Sequence, residues 1–277
     1  MKALNKKKLS FATPKALPSL ENPDVTNVLL SSGDESCIFE VIPGTLPKLQ
    51  AVTEIGRACG ELHTAMGSLD INKDLCEQPP YFKLFEVHHA ITKDLFYETI
   101  ASSAFDGDER GAINELVEHV KALEERLDIF HAKQLPEQLI HGDLHYDNVL
   151  IDEQGKVTGL LDFEYCGFDW RAMELAVCLS KYAGEEDPLH YMEDFIVGFA
   201  QTADLTVDEI DSIADLMVLR IISNVVFFVG RVISGEDDAD QLKSRAAIYN
   251  ARIEWLLDNK ETLGSIITRE MNKKIEN

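Results

Sequence analysis

The sequence predicts an α+β chain in two unequal parts: a short β-containing N-terminal piece, then a mostly helical remainder that carries a hairpin of its own. Three observations predict it. Residues 25–30 and 37–42 are short strand-like runs around the turn signal Ser31-Ser32-Gly33-Asp34. From Leu49 onward, apolar residues recur with helical period over several long stretches. Within those stretches, Val149-Leu150-Ile151 and residues 157–161 flank the turn Asp152-Glu153-Gln154-Gly155.

Residues 1–20, with Pro14 and Pro18, read as irregular. Pro43-Gly44 and Pro47 end the second strand-like run, so residues 40–42 are expected to serve as a hinge. The helix that follows places Val52, Ile55, Ala58, Cys59 and Leu62 on one face. Residues 78–100 are expected to be mostly helical, and residues 114–130 form an amphipathic helix on Leu116, Val120, Leu123 and Leu127. After the second hairpin, helices are expected over 171–181 and 189–202, from Thr206 with Glu209 three residues on, and lastly over 241–258. The division this implies is a partial N-terminal lobe at 1–44 and a helical lobe at 45–277.

Charge narrows the function. The chain has 26 Lys and Arg against 49 Asp and Glu, a formal net charge of -23, which repels nucleic-acid phosphates and anionic membrane surfaces. The most apolar run, residues 221–230, is bracketed by Arg220 and Arg231 and is too short to cross a bilayer. Five cysteines, odd in number and without CxxC spacing, fit a reducing, cytoplasmic setting. The lysines at 2, 6, 7, 8 and 15 lack the apolar core of a secretory signal. A transit peptide is the lesser reading of that stretch.

Chemistry concentrates in the segment His141-Gly142-Asp143-Leu144-His145-Tyr146-Asp147-Asn148, a polar loop that enters the second hairpin. Asp162 ends the hairpin's far strand. A strand, a tight turn and a return strand fit between Asn148 and Asp162, which brings the two to one end of the hairpin. Phosphoryl transfer needs a carboxylate to accept the attacking hydroxyl's proton, and oxygen ligands to hold Mg²⁺ against the phosphates. Asp143, Asn148 and Asp162 supply that set.

The pair HGDLHYDN and LLDFEY resembles the aminoglycoside phosphotransferase and choline kinase superfamily, which includes one type of homoserine kinase. The resemblance implies a protein-kinase-like two-lobed fold, with an abbreviated N-terminal β lobe and ATP lying between the lobes. It implies that Asp143 is the catalytic base, that Asn148 and Asp162 bind magnesium, and that the hinge Glu40, Val41 and Ile42 meets the adenine. It also implies a small-molecule acceptor, homoserine first, with choline, ethanolamine, a sugar or an aminoglycoside as alternatives. Two departures stand out: no Gly-rich phosphate loop or strand lysine is found near the start, and Glu174 stands where the family commonly has aspartate. The first motivates a rival reading, a kinase-like binding module without turnover.

His145, Glu164, Tyr165, Asp169 and Arg171 surround the motif and are candidates to face the acceptor, a carboxylate suiting an amine and an arginine suiting a carboxylate. The competing reading has Trp170 packed between helices and Asp169 paired with Arg171 or a helix N-terminus. His141 is expected to pack beneath the loop and hydrogen-bond its backbone, holding Asp143 in place. Zinc binding by His141 and His145 is disfavoured because Gly142 and the following strand argue against a helix there. Phe227, Phe228 and Trp255 read as core, and the acidic run at 236–240 reads as a solvated loop.

Overall fold

A computed structural model describes residues 1–20, 22 and 24–273. In chain order it contains β1 (Asn27–Leu29), β2 (Glu35–Cys37), α1 (Val52–Gly67), α2 (Lys93–Ala101), α3 (Arg110–Lys133), β3 (Glu137–Ile140), β4 (Val149–Ile151), β5 (Val157–Leu160), β6 (Gly167–Trp170), α4 (Ala172–Ser180), α5 (Pro188–Phe199), α6 (Val207–Ile210), α7 (Ile213–Ser234), α8 (Asp240–Asp258) and α9 (Lys260–Lys273). The fold is α+β and protein-kinase-like, with three two-stranded antiparallel sheets, β1–β2, β3–β6 and β4–β5.

The helices form where the apolar period predicts them. Val52, Ile55, Ala58, Cys59 and Leu62 of α1 are all buried and pack on α5. Thr206 and Glu209 make the expected capping box at α6. That helix is only one turn long, because Ser212 Oγ donates back to Asp208 O (2.7 Å) and a new helix, α7, starts at Ile213. Helix α7 is long and apolar enough to span a membrane by composition, but it is mostly buried against α4 and α8 and carries Arg220 at its centre.

Two expectations need correction. Residues 78–92 are loops and single 3-10 turns, and only α2 is a regular helix within 78–100. The aromatic side chains there make specific contacts: Phe82 packs on Trp170 with ring centroids 4.7 Å apart, and Tyr81 Oη donates to Gly142 O. The helix over 241–258 is not the last; α9 follows it and buries Leu263, Ile266, Ile267 and Met271.

Near the start, β1 and β2 pair with Asn27 opposite Cys37, and the hairpin is largely exposed. The irregular residues before it cross to the larger part of the chain. Leu4 and Phe11 are buried, and the Ala12 N–H donates to Thr158 O while Ala12 O accepts from Leu160 N. Residues 15–17 then pair with 38–40 through Leu17 N to Ile38 O and Glu40 N to Lys15 O.

Candidate active site

The β4–β5 hairpin fixes one side of the site. Asp152 accepts from the N–H groups of Gln154 and Lys156 (2.9 Å each), and Gly155 takes the left-handed conformation that closes the turn. Val149 therefore lies opposite Leu160, and Leu161 N donates to Asn148 O (2.9 Å), which sets Asn148 and Asp162 at one end of the ladder. Asn148 Nδ2 donates to Asp143 O (2.9 Å), so its amide oxygen is turned away from that bond. Asp162 has a left-handed backbone, φ 63°, a conformation a non-glycine residue holds only where its surroundings enforce it. An amide oxygen and a carboxylate are hard oxygen donors and fit Mg²⁺.

Beneath the loop, the fully buried His141 does two jobs. Its Nε2 lies 2.8 Å from Leu161 O, and its Nδ1 accepts from Asp143 N (3.3 Å). The bond at Nδ1 assigns the proton to Nε2, so the ring links the strand end before Asp162 to Asp143. Burial also pushes the His141 pKa down, which favours this neutral form. Glu174, fully buried on α4, accepts from His141 N (2.5 Å). It therefore anchors the loop from α4.

Asp143 faces one guanidinium and one imidazole. Arg220 Nη2 donates to its Oδ1 (2.6 Å), and His145 Nε2 lies 3.7 Å from Oδ2. Burial alone would push the Asp143 carboxyl up, but the hydrogen bond from His145 and the Arg220 charge outweigh it and hold the group below the ordinary carboxylate range. His145 is oriented by Asp147 N, which donates to its Nδ1 (3.3 Å).

Cavities flank this centre on two sides. One, of 630 Å³, is lined by Phe39, Glu40 and Ile42 on the N-terminal piece and by Leu150, Leu161 and Asp162 on the hairpin. Glu40 and Ile42 thus share a cavity with Asp162, while Val41 is 92% exposed and does not line it. The other, of 260 Å³, is lined by Asp143, Tyr165, Arg220, Asn224, Phe227, Phe228 and Tyr249, with Gln78, Tyr81 and Val87 closing it.

The structure sorts the acceptor candidates. Tyr165 lines the smaller cavity with Asp143, and His145 stands against Asp143. Glu164 lies instead on the hinge-side cavity. Asp169 is buried and accepts from Tyr81 N (2.6 Å) and Trp170 N (2.7 Å), so it ties the residue 78–81 segment to β6. Burial pushes its pKa up to about 7. Arg171 points elsewhere too, making a bidentate pair with the buried Glu209 (2.7 and 2.8 Å). Phe227 and Phe228, read as core, turn out to wall the cavity. Arg220, Asn224 and Tyr81 were not among the sequence candidates. The signal for Arg220 lay in the sequence as an arginine flanked by the apolar residues Met217, Val218, Leu219, Ile221 and Ile222, a residue that is rarely buried without a partner.

The chain is similar to the homoserine kinase of Zymomonas mobilis, 26% identical over 208 residues that cover 72% of this chain and 58% of that protein. It is also similar to the probable ethanolamine kinase A of Dictyostelium discoideum, 26% identical over 111 residues that cover 36% of this chain and 31% of that protein. The chain spans about half the length of the first homoserine kinases it matches. Among solved structures, a microcompartment-associated aminopropanol kinase superposes with a TM-score of 0.68 at 16% identity, covering 95% of this chain and 80% of that one. The family model APH, the phosphotransferase enzyme family, matches residues 1–209 and so accounts for well over half of the sequence; the chain belongs to that family.

Proposed function

We propose that this chain transfers the γ-phosphoryl group of ATP to a hydroxyl of a small molecule, with homoserine as the leading acceptor. The observation that carries the reading is Asp143 lining one cavity while Asp162 lines the other, with Asn148 between them, its side chain bonded to Asp143 O and its carbonyl to the N–H of Leu161, the residue before Asp162. ATP would occupy the 630 Å³ cavity with its adenine toward Glu40 and Ile42, and the acceptor would occupy the 260 Å³ one. Homoserine leads because several similar proteins are homoserine kinases, and ethanolamine and aminopropanol kinases are also among the likenesses. Five free cysteines support a reducing, cytoplasmic setting.

In this reading Asp143 accepts the proton of the acceptor hydroxyl as its oxygen bonds to the γ-phosphorus and the bond to the β–γ bridging oxygen breaks, releasing ADP. Asp143 is ionised at neutral pH and can accept that proton. His141 and Glu174 hold the loop so that the carboxylate does not drift during the step. Asn148 and Asp162 would hold Mg²⁺, which supplies charge neutralisation at the phosphates when bound.

The test is ADP release from MgATP with homoserine, choline, ethanolamine, a methylthio-sugar and an aminoglycoside in turn. Acceptor-dependent release is expected, and Asp143→Asn or Asp162→Ala should reduce it by at least about 10²-fold with helical content unchanged. Silence across the panel by the folded protein would favour the binding-module reading. Retained turnover in Asp143→Asn would remove Asp143 from the role of base.

A further inference from the structure

The acceptor cavity does not share the acidity of the chain: its lining holds one acidic and one basic side chain, Asp143 and Arg220. The formal net charge is -23, yet Asp143 is the one acidic side chain lining this cavity, and it is already paired with Arg220. Three rings of the wall each lie close to a guanidinium: Tyr81 5.5 Å from Arg220, Phe227 5.8 Å from Arg231, and Phe228 4.7 Å from Arg245. Arg245 Nη1 is buried without a hydrogen bond. A cationic acceptor with no anionic group needs a free carboxylate or bare aromatic faces, and here both are engaged. A carboxylate needs the reverse, a fixed fork of N–H donors in a desolvated place. Arg220 offers that fork, with Nη2 on Asp143 and Nη1 on Asn224 Oδ1, and it keeps further N–H groups beyond those two.

We propose that Arg220 is the specificity residue that binds an acceptor carboxylate, which makes the substrate class a small hydroxy-amino acid rather than a bare amino alcohol. The proposal rests on the phosphotransferase reading for its hydroxyl but not for its carboxylate. An arriving carboxylate competes with Asp143 for the guanidinium, so the Asp143–Arg220 pair loosens as the acceptor seats. Asp143 is thereby released toward the hydroxyl only when the correct acceptor is present.

Homoserine and 3-aminopropan-1-ol differ only in the carboxylate, so this chain tested with both, by calorimetric binding and by turnover, isolates that group. Wild type is expected to bind homoserine at least about tenfold more tightly, the worth of one charge-assisted contact. Because Arg220 touches Asp143, its replacement lowers turnover with either compound. The readout is therefore the ratio between them. Arg220→Gln should bring the two affinities to within about threefold of each other, because the freed Asp143 acts on the ammonium of both compounds alike while only homoserine loses the carboxylate contact, and Arg220→Lys, which keeps the charge and the packing stem, should give an intermediate ratio. Equal wild-type affinities, an unchanged ratio in whichever variant folds, or no binding of either compound would overturn the assignment. Arg220-dependent homoserine binding without ADP release would keep it and reject the kinase reading; ADP release with no Arg220 dependence would do the opposite.

Discussion

Asp143 on the loop and Glu174 on α4 beneath it show how neighbouring carboxyl groups are pushed in opposite directions. Asp143 has Arg220 and His145 beside it and stays ionised. Glu174 has no cation, and burial pushes its pKa from 4.5 up to about 7 although His141 N donates to it. Between those values the folded chain holds a proton that the unfolded chain has lost. The stability from this group is therefore full below pH 4.5 and lost as pH rises through about 7. Glu174→Gln cannot ionise and still offers an oxygen to His141 N. It should gain about 1–3 kcal/mol relative to wild type between pH 5 and pH 8, read from urea midpoints at both pH values. An identical pH trend in the two proteins would show that Glu174 does not titrate on folding. His141 and Asp143 were legible as sequence positions, but the state of Asp143 depends on burial, His145 and the distant Arg220, and that of His141 on burial and on Leu161 O.

At the scale of elements, the contact between α1 and α5 depends on missing side chains. A Cβ on Gly198 would lie 1.8 Å from Thr53 O, and one on Gly56 would lie 2.0 Å from Phe195 O. These are backbone atoms of the facing helix, so neither can move aside cheaply. Gly198→Ala should cost about 1–3 kcal/mol or more, seen as a lowered melting temperature. Gly264→Ala in α9, where nothing lies within 4 Å, should instead gain up to about 1 kcal/mol from helix propensity. Equal effects at the two sites would refute the close approach. The apolar period on α1 was readable because burial on one face leaves a repeating pattern. The 78–92 segment was not, since Tyr81 and Phe82 are placed by partners on the catalytic loop and β6 rather than by any local repeat.

For the molecule as a whole, residues 1–20 act as a strap across the larger part. Ser10 donates to both oxygens of Glu61, whose carboxylate also takes Arg57, and Ala12 is bonded along β5. We propose a division into a small lobe at 1–44 and a larger one at 45–277, with the β1–β2 hairpin as the accessible part of the small lobe. Limited proteolysis should cut first within residues 25–37, where both strands are largely exposed, and leave a helical fragment intact. First cuts inside α4 or α7 would contradict this, because those helices are the most buried of the fold.

The α+β class and the hairpin that sets Asn148 and Asp162 at one end were readable from the sequence, because spacing along a strand–turn–strand path is local geometry; Asp143, Asn148 and Asp162 are the residues proposed for the chemistry there. Only the tertiary structure decided where Asp169 and Arg171 go, which cavity Glu164 faces, and that Arg220 meets Asp143. Three of those outcomes are pairings between residues 38 to 88 positions apart, Asp169 with Tyr81, Arg171 with Glu209 and Arg220 with Asp143, and no local pattern in the sequence records such a pairing.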